Sequence, residues 1–457
     1  IFLLPMFNFS QDFSEFWEGH FSYLNIIEII EANDKIYAAS ENAIFSYDSS
    51  TNQIETITTV NGLSGELITT IHYSINYQLL LIGYQNGLIE VFKESDNDIL
   101  KVIDIVNKTT IPPNNKNINH FNEHNGLVYI ATDYGVSTYD LDNLEFGDTY
   151  FLGLNGSQAR VNQTVIKSNV IYANCGEGEG IKSASVSNLN LIDFQQWTTT
   201  VTGNFVNLIV KDPNVIVTSS NAVTSKINSD NSLTQLFVSS SIPKDLYSSD
   251  AYLIETLSTK VNFYDANFNL VHTIIPTTEF PASYSCTITF GNNIFIGTNG
   301  DTTTGRLGFG VLKTTLINSD TFEEIHPDGP LLNTPFSLEL KNLDLWLTFG
   351  GYGLFFDWSG GQRLSGISRY RQNEWLNIPY DSISSKVASP NFLSHIAVNP
   401  FDTEQVFVSS YYSGLIEINS EEISGIYNEN NSTLKPFIPE RYLTSTSKFD
   451  DNGVLWV

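Results

Sequence analysis

Ile36-Tyr37-Ala38-Ala39-Ser40, followed by Ala43-Ile44-Phe45-Ser46-Tyr47-Asp48, decides the architecture, because the same phrase returns along the chain. It recurs at Leu80-Leu81-Ile82-Gly83 with Gly87-Leu88-Ile89-Glu90-Val91, and at Val128-Tyr129-Ile130-Ala131 with Gly135-Val136-Ser137-Thr138-Tyr139-Asp140. Each copy is an apolar strand ending in small residues, a short turn and a second strand. Aligned on the start of the second strand, the copies begin at Ala43, Gly87, Gly135, Gly180, Ala222, Lys260, Gly310, Gly353 and Gly414. Most steps fall near the roughly 40–50 residues of one four-stranded propeller blade. Apolar residues alternate or run in short strings of Ile, Val, Tyr and Phe bounded by Asn, Asp, Gly and Ser, without the three- and four-residue spacing of helices. The predicted class is all-β, built of β-propeller blades whose radial closure leaves only short, protected edges.

Nine copies, with a tenth opening at Gly453-Val454-Leu455-Trp456-Val457, exceed the roughly four to eight blades that close one ring. The 457 residues likewise exceed the roughly 250–300 at which single cores stop growing. Two β-propellers are therefore expected, of about seven blades each in the full protein, with the second incomplete in this chain. The simplest cut lies near Asp328-Gly329-Pro330, giving a first propeller over 12–335 and the start of a second over 336–457. A second propeller nested within the first is the alternative, since the blades between Val170 and Gln235 lack the Tyr-Asp ending. Val457 reads as part of an apolar strand without a partner, which predicts that the natural chain continues. At the other end, Ile1-Phe2-Leu3-Leu4-Pro5-Met6-Phe7 before Ser10-Gln11-Asp12 reads as the remnant of a secretory signal over 1–11, implying export. No run approaches the roughly 20 apolar residues that span a bilayer.

Fifty acidic against 22 basic residues give a formal charge of −28, a field that repels phosphate backbones and argues against nucleic acid as a partner. Cys175 and Cys286 lie far apart and outside any CxxC pair, so buried free thiols are expected rather than zinc or a disulfide framework. His120-Phe121-Asn122-Glu123-His124 has zinc-helix spacing, but the Asn125-Gly126 turn signal and the absence of helical periodicity favour a solvated loop between blades. Gly176-Glu177-Gly178-Glu179-Gly180 and Gly305-Arg306-Leu307-Gly308-Phe309-Gly310 lack the order of a phosphate loop and open no helix, so they read as turns between strands. Glu94-Ser95-Asp96-Asn97-Asp98 lacks the glycine and distal Glu of a calcium loop. No Gly-X-Ser-X-Gly elbow occurs. No catalytic constellation, metal site or cofactor is predicted.

One stretch stands apart. Trp346, Phe349, Tyr352, Phe355, Phe356 and Trp358 are followed by Arg363, Arg369, Tyr370, Arg371 and Trp375. Trp346, Phe355 and Phe356 read as packing. In a chain so poor in cations, Trp358, Arg363, Arg369, Tyr370, Arg371 and Trp375 read as an insertion offering a surface for sugar rings or a partner protein.

Phe449-Asp450-Asp451-Asn452-Gly453-Val454-Leu455-Trp456-Val457 resembles the repeat of regulator-type propellers found in sensor ectodomains of two-component systems. Trp17-Glu18-Gly19-His20-Phe21-Ser22-Tyr23, Thr59-Val60-Asn61-Gly62-Leu63-Ser64, His395-Ile396-Ala397-Val398-Asn399-Pro400 and Val406-Phe407-Val408-Ser409-Ser410 resemble, in that order, the PorZ family of surface propellers of the type IX secretion system. That resemblance implies two propellers followed by a C-terminal β-sandwich sorting domain, absent from this chain. It implies no catalysis, a location on the outer surface of a Gram-negative bacterium, and a complex with the sortase PorU, the outer-membrane barrel PorV and PorQ. It also implies binding of anionic lipopolysaccharide and its presentation for attachment to secreted cargo. Such a ligand needs a local basic spot, for which Arg363, Arg369 and Arg371 are the candidates. A glycan-sensing periplasmic ectodomain of a hybrid two-component system is the alternative, and a propeller-fold polysaccharide lyase or hydrolase a third reading.

Overall fold

The computed structural model describes residues 18–350, 363–439 and 441–457; the segment read as a signal remnant, 1–11, lies outside them. Among the described residues the chain forms nine four-stranded antiparallel sheets, each an up-and-down meander with strands in sequence order. They span residues 28–57, 68–102, 118–150, 161–201, 205–238, 245–274, 283–325, 337–378 and 393–427, and we number them blades 1 to 9. A two-stranded hairpin, Lys448–Phe449 with Leu455–Trp456, comes after blade 9.

Burial explains the repeated phrase. The second strand of a blade, such as Leu79–Tyr84, is buried along its whole length, since a neighbouring blade covers each face. It therefore reads as a continuous apolar run rather than an alternation. The fourth strand, such as Gln53–Ile57, is mostly exposed and carries the polar residues between copies.

The core is a circle of interfaces. Successive apolar clusters join blades 1 and 2 (Tyr37, Ile44, Leu80, Ile82), 2 and 3 (Leu81, Val91, Ile118, Ile130), 3 and 4 (Val136, Val161, Ile171) and 4 and 5 (Ile181, Phe205, Val217). Ile216 meets Leu253 between blades 5 and 6, and Ile254 and Phe263 meet Ile294 and Leu312 between 6 and 7. The last cluster, Ile26, Ile36, Phe45 and Tyr47 against Cys286, Phe295 and Val311, packs blade 1 on blade 7. Backbone bonds Ile26 N to Thr298 O (2.9 Å) and Gly310 N to Leu24 O (3.0 Å) seal that joint. Seven blades thus close on themselves. Blades 8 and 9 share a separate core around Trp346, Ile367, Ile396 and Ile416.

Innermost strands add polar latches between blades. The Glu28 carboxylate accepts from Thr70 Oγ1 (2.9 Å) and Ile71 N (2.8 Å) of the next blade. Gln163 accepts from Leu208 N (2.7 Å), and Asp245 from Thr287 N (3.4 Å). Burial pushes Glu28 up to about 7 and Asp245 up to about 6.

The structure corrects three sequence expectations. The His120-to-His124 stretch is no loop: it lies in the innermost strand of blade 3, Ile118–His124. Its Phe121 is buried, and its Glu123 pairs with His72 of blade 2 (3.1 Å). Channel-lining polar residues masked the strand, and in a strand two residues four apart are roughly 13 Å from one another, too far to share a metal. Gly353 does not open the third strand of blade 8, which is Ile367–Arg371; Gly353, Phe355 and Phe356 lie outside the described residues. The unpartnered strand at Val457 is instead the hairpin arm Leu455–Trp456, paired with Lys448–Phe449. Cys175 and Cys286 are buried free thiols.

Closure depends on close approach at two glycines. A Cβ on Gly308 would sit 2.0 Å from Leu24 O, and one on Gly329 2.0 Å from Phe21 O, so neither position tolerates a side chain while residues 21–24 stay seated. Gly308→Ala is expected to cost more than about 2 kcal/mol in urea unfolding. The raised carboxyl of Glu28 gives a second prediction. Below about pH 4.3 folded and unfolded chains both hold its proton. As pH rises from there to about 7, the unfolded chain ionises first and stability falls, by up to roughly 3 kcal/mol. Thermal unfolding between pH 5.5 and 8 should show this decline, and Glu28→Gln should flatten it and raise stability at pH 8.

Candidate functional site at the junction of blades 7, 1 and 8

Residues 18–26 precede the first strand and run as a strap between the closed ring and blade 8. Ser22 N donates to Asn333 Oδ1 (2.7 Å) and Ser22 Oγ to Leu331 O (2.9 Å), while Asn25 Oδ1 accepts from Gly300 N (2.7 Å). Leu24 packs with Leu331, Leu347 and Phe349. The chain between blades 7 and 8 is held in turn by Leu331 N to Ser368 Oγ (3.0 Å) and Asn377 Nδ2 to Gly329 O (3.0 Å).

Beside the strap lies a cleft of about 400 Å³, walled by Leu24, Asp301, Arg306, Phe349 and Arg363 among others. Blade 7 supplies one wall through the loop from Asn299 to Val311, far longer than the equivalent Ala39-to-Ile44 turn of blade 1. Asp301 organises that loop: its carboxylate accepts from Thr303 N (2.9 Å) and from the Thr303 and Thr304 hydroxyls (2.6 and 3.1 Å), and these bonds hold it below the usual carboxylate range. Leu364 N donates to Thr302 O (2.7 Å), tying the loop to blade 8. Arg306 and Arg363 are both exposed. Arg363 donates to Gly350 O (3.3 Å), and neither guanidinium has an ion-pair partner among the described residues. Facing them are Asp301, committed to its own turn, and Glu41, which accepts from Asn333 Nδ2 (3.4 Å). The wall is charge-balanced in a chain that is strongly acidic overall.

The residues singled out from sequence separate into three environments, and Trp358 lies outside the described residues. Arg363 lines the cleft. Half-buried Tyr370 and Trp375 form an aromatic group with exposed His20 of the strap, at ring separations of 4.5 Å (His20 to Tyr370), 5.3 Å (His20 to Trp375) and 5.0 Å (Tyr370 to Trp375). Trp375 N is fixed by Asp328 Oδ2 (2.7 Å). Arg369 is only 1% exposed. It donates in bidentate fashion to Asp344 (3.1 and 2.8 Å) and to Glu404 (3.1 Å twice), reaches Glu421 (3.1 Å), and lies 4.9 Å from the Trp346 ring. Arg371 pairs with the same Glu404. Two arginines thus face three carboxylates, so this pair is no basic spot; Arg369 and Arg371 pin blade 8 to blade 9 and hold the Glu404 carboxylate below its usual range. Nor are Arg369, Tyr370, Arg371 and Trp375 in an insertion, because Ile367–Arg371 and Glu374–Ile378 are the outer strands of blade 8. Sequence reading missed Arg306, whose signal was the glycine-dense stretch from Gly305 to Gly310 in an overlong turn, and it missed His20.

Removing Arg369 strands Asp344, itself buried. Arg369→Leu is expected to cost about 3–5 kcal/mol, whereas Arg371→Ala, at a half-exposed pair, should cost less than about 1 kcal/mol; equilibrium unfolding of both variants measures the difference.

Among the described residues no helix is long and apolar enough to cross a membrane. Compared with protein-family models, residues 36–198 match the N-terminal β-propeller domain of PorZ of the type IX secretion system. No curated protein matches. Among solved structures, PorZ of Porphyromonas gingivalis, described as an essential bacterial surface component of that system, superposes with a TM-score of 0.80 at 18% identity. The alignment covers 96% of this chain and 57% of that one, so this chain spans little more than half the length of that structure. The extracellular domain of the one-component system BT4673 from B. thetaiotaomicron aligns at 14% identity over 96% of this chain and 64% of its own, with a TM-score of 0.47. The WD40 propeller of Doa1 aligns at 13% over 62% and 91%, with a TM-score of 0.46. The chain therefore resembles PorZ in sequence from the second strand of blade 1 to the fourth strand of blade 4, and in fold along nearly all its length.

Proposed function

We propose that this chain is part of an exported, non-catalytic surface component of a type IX secretion system, and that the cleft beside the strap takes an anionic glycolipid. The observation that carries the ligand is the pair Arg306 and Arg363. The formal charge of −28 repels phosphate and carboxylate groups from the chain as a whole; here two guanidinium groups without ion partners among the described residues line a cavity of about 400 Å³, and arginine's planar fork suits bidentate contact with either group. Apolar Leu24, Leu332 and Phe349 give the same cleft surface for an acyl or sugar face. The secretion role is supported by the family match over residues 36–198. In this reading residues 12–335 form the first propeller and 336–457 open a second. The whole protein carries anionic lipopolysaccharide to the sortase PorU, beside PorV and PorQ, for attachment to secreted cargo.

Binding of purified anionic lipopolysaccharide by the isolated protein tests the ligand. Combined Arg306→Glu and Arg363→Glu should weaken binding at least tenfold, and the native interaction should weaken as salt is raised. Both side chains are exposed, so the thermal midpoint should hold. Undiminished binding by the double variant would overturn this assignment of the cleft.

A further inference from the structure

A second cleft, of about 840 Å³, opens over blades 6 and 7. Its wall is built from three stiff turns. In blade 6, Ser249 Oγ accepts from Tyr252 N (3.0 Å) and donates to Tyr252 O (3.3 Å), and the Lys211 ammonium donates to Asp250 O (2.8 Å) from beneath. In blade 7, Asn292 sits in the tight turn between Ser283–Phe290 and Asn293–Asn299. The third turn is closed by Thr314 Oγ1 to Asn318 O (2.9 Å) and Asn318 N to Thr315 Oγ1 (3.2 Å). Glu31 and Tyr247 line both this cleft and the axial channel of the ring, so the cleft is the channel's mouth.

The lining chemistry selects among ligands. Glu31 and Asp250 are the charged residues that line the wall, and the Lys211 ammonium behind it is committed to the Ser249 and Asp250 carbonyls, which disfavours phosphates and carboxylates. Among the described residues no three His, Cys, Asp or Glu side chains gather to hold a metal. The side-chain amides of Asn292, Asn293 and Asn318 make no hydrogen bond among the described residues, so a purely apolar ligand would desolvate them without compensation. Tyr247 and Tyr252 add aromatic surface next to these amides, and Tyr252 is braced edge-on by Phe263 (5.8 Å). Aromatic faces meet the C–H faces of a sugar ring, while amides and carboxylates pair with its hydroxyls. The size lies within the roughly 300–1,000 Å³ of small-molecule sites.

We infer that the mouth of the first propeller's channel binds a neutral saccharide, held by Tyr252, Asn293 and Asn318 with Glu31 and Asp250 accepting from its hydroxyls. This site is separate from the arginine-lined cleft and does not rest on the glycolipid reading.

Saturation-transfer NMR on the whole chain, with glucose, galactose, mannose and N-acetylglucosamine as probes and inorganic phosphate as the anionic comparator, tests it. At least one sugar should bind, phosphate should not compete, and both Tyr252→Ala and Asn318→Ala should weaken the dissociation constant at least fivefold. Asn318 lies exposed in a turn, so its variant keeps the test interpretable should Tyr252→Ala unfold. Silence from all four sugars, an unchanged dissociation constant in Asn318→Ala, or competition by phosphate would each overturn the inference.

Discussion

Everything in the structure depends on one joint, where the chain just before blade 1 returns to blade 7. A propeller buries each sheet between two neighbours, so an open array would leave the faces of its first and last blades in water. At roughly 25 cal/mol per Å² of apolar surface, that exposure would outweigh any local propensity. The cluster from Ile26 and Phe45 to Phe295 and Val311 removes it, and the backbone bonds of Leu24 and Ile26 fix its register. Because the sealing segment is the strap itself, the chain that closes the ring also contacts blade 8 through His20 and Leu24. Closure of the first ring and placement of blade 8 are thereby coupled through the residues that wall the arginine-lined cleft.

Charge is distributed on the same logic. With 50 acids and 22 bases, cations are scarce, and several are committed to joints: Lys35 to Glu94, Lys313 to the Tyr47 hydroxyl, and Arg369 to Asp344, Glu404 and Glu421. The buried fork of Arg369 is structural, since its partners already satisfy it. What distinguishes Arg306 and Arg363 is that they line a concave surface without an ion-pair partner among the described residues. The two clefts thus differ in kind: one is lined by Arg306 and Arg363 beside Asp301 and Glu41, the other by Glu31, Asp250 and side-chain amides.

The blade array was legible because each second strand is buried on both faces and each connecting turn demands small or polar residues, so phrases such as Ile36 to Asp48 announce themselves. Blade 8 was misread because its signal residues are atypical. Its third strand, Ile367–Arg371, contains two arginines, one of them buried, and that composition is stable because Asp344 and the cross-blade carboxylates Glu404 and Glu421 pair with it; no local pattern reveals cross-blade partners so distant in sequence. The innermost strand with His120 and His124 was hidden for a related reason, since a channel-facing strand need not be apolar. Tyr370 and Trp375 were recognisable as candidate binding aromatics, but their company with His20 is a product of the strap's path, which brings the chain before blade 1 against blade 8. Arg306 sat in a stretch whose glycine density was noticed and whose length, the better clue, was not.

The secretion role meets its most direct test in affinity isolation of the tagged full-length protein from its native cell envelope, with partners identified by mass spectrometry and the eluate probed for lipopolysaccharide. Co-isolation of a sortase and an outer-membrane barrel together with the glycolipid is the expected result. Recovery of none of these, with a kinase domain on the same polypeptide, would contradict the role and make the propellers the ectodomain of a sensor.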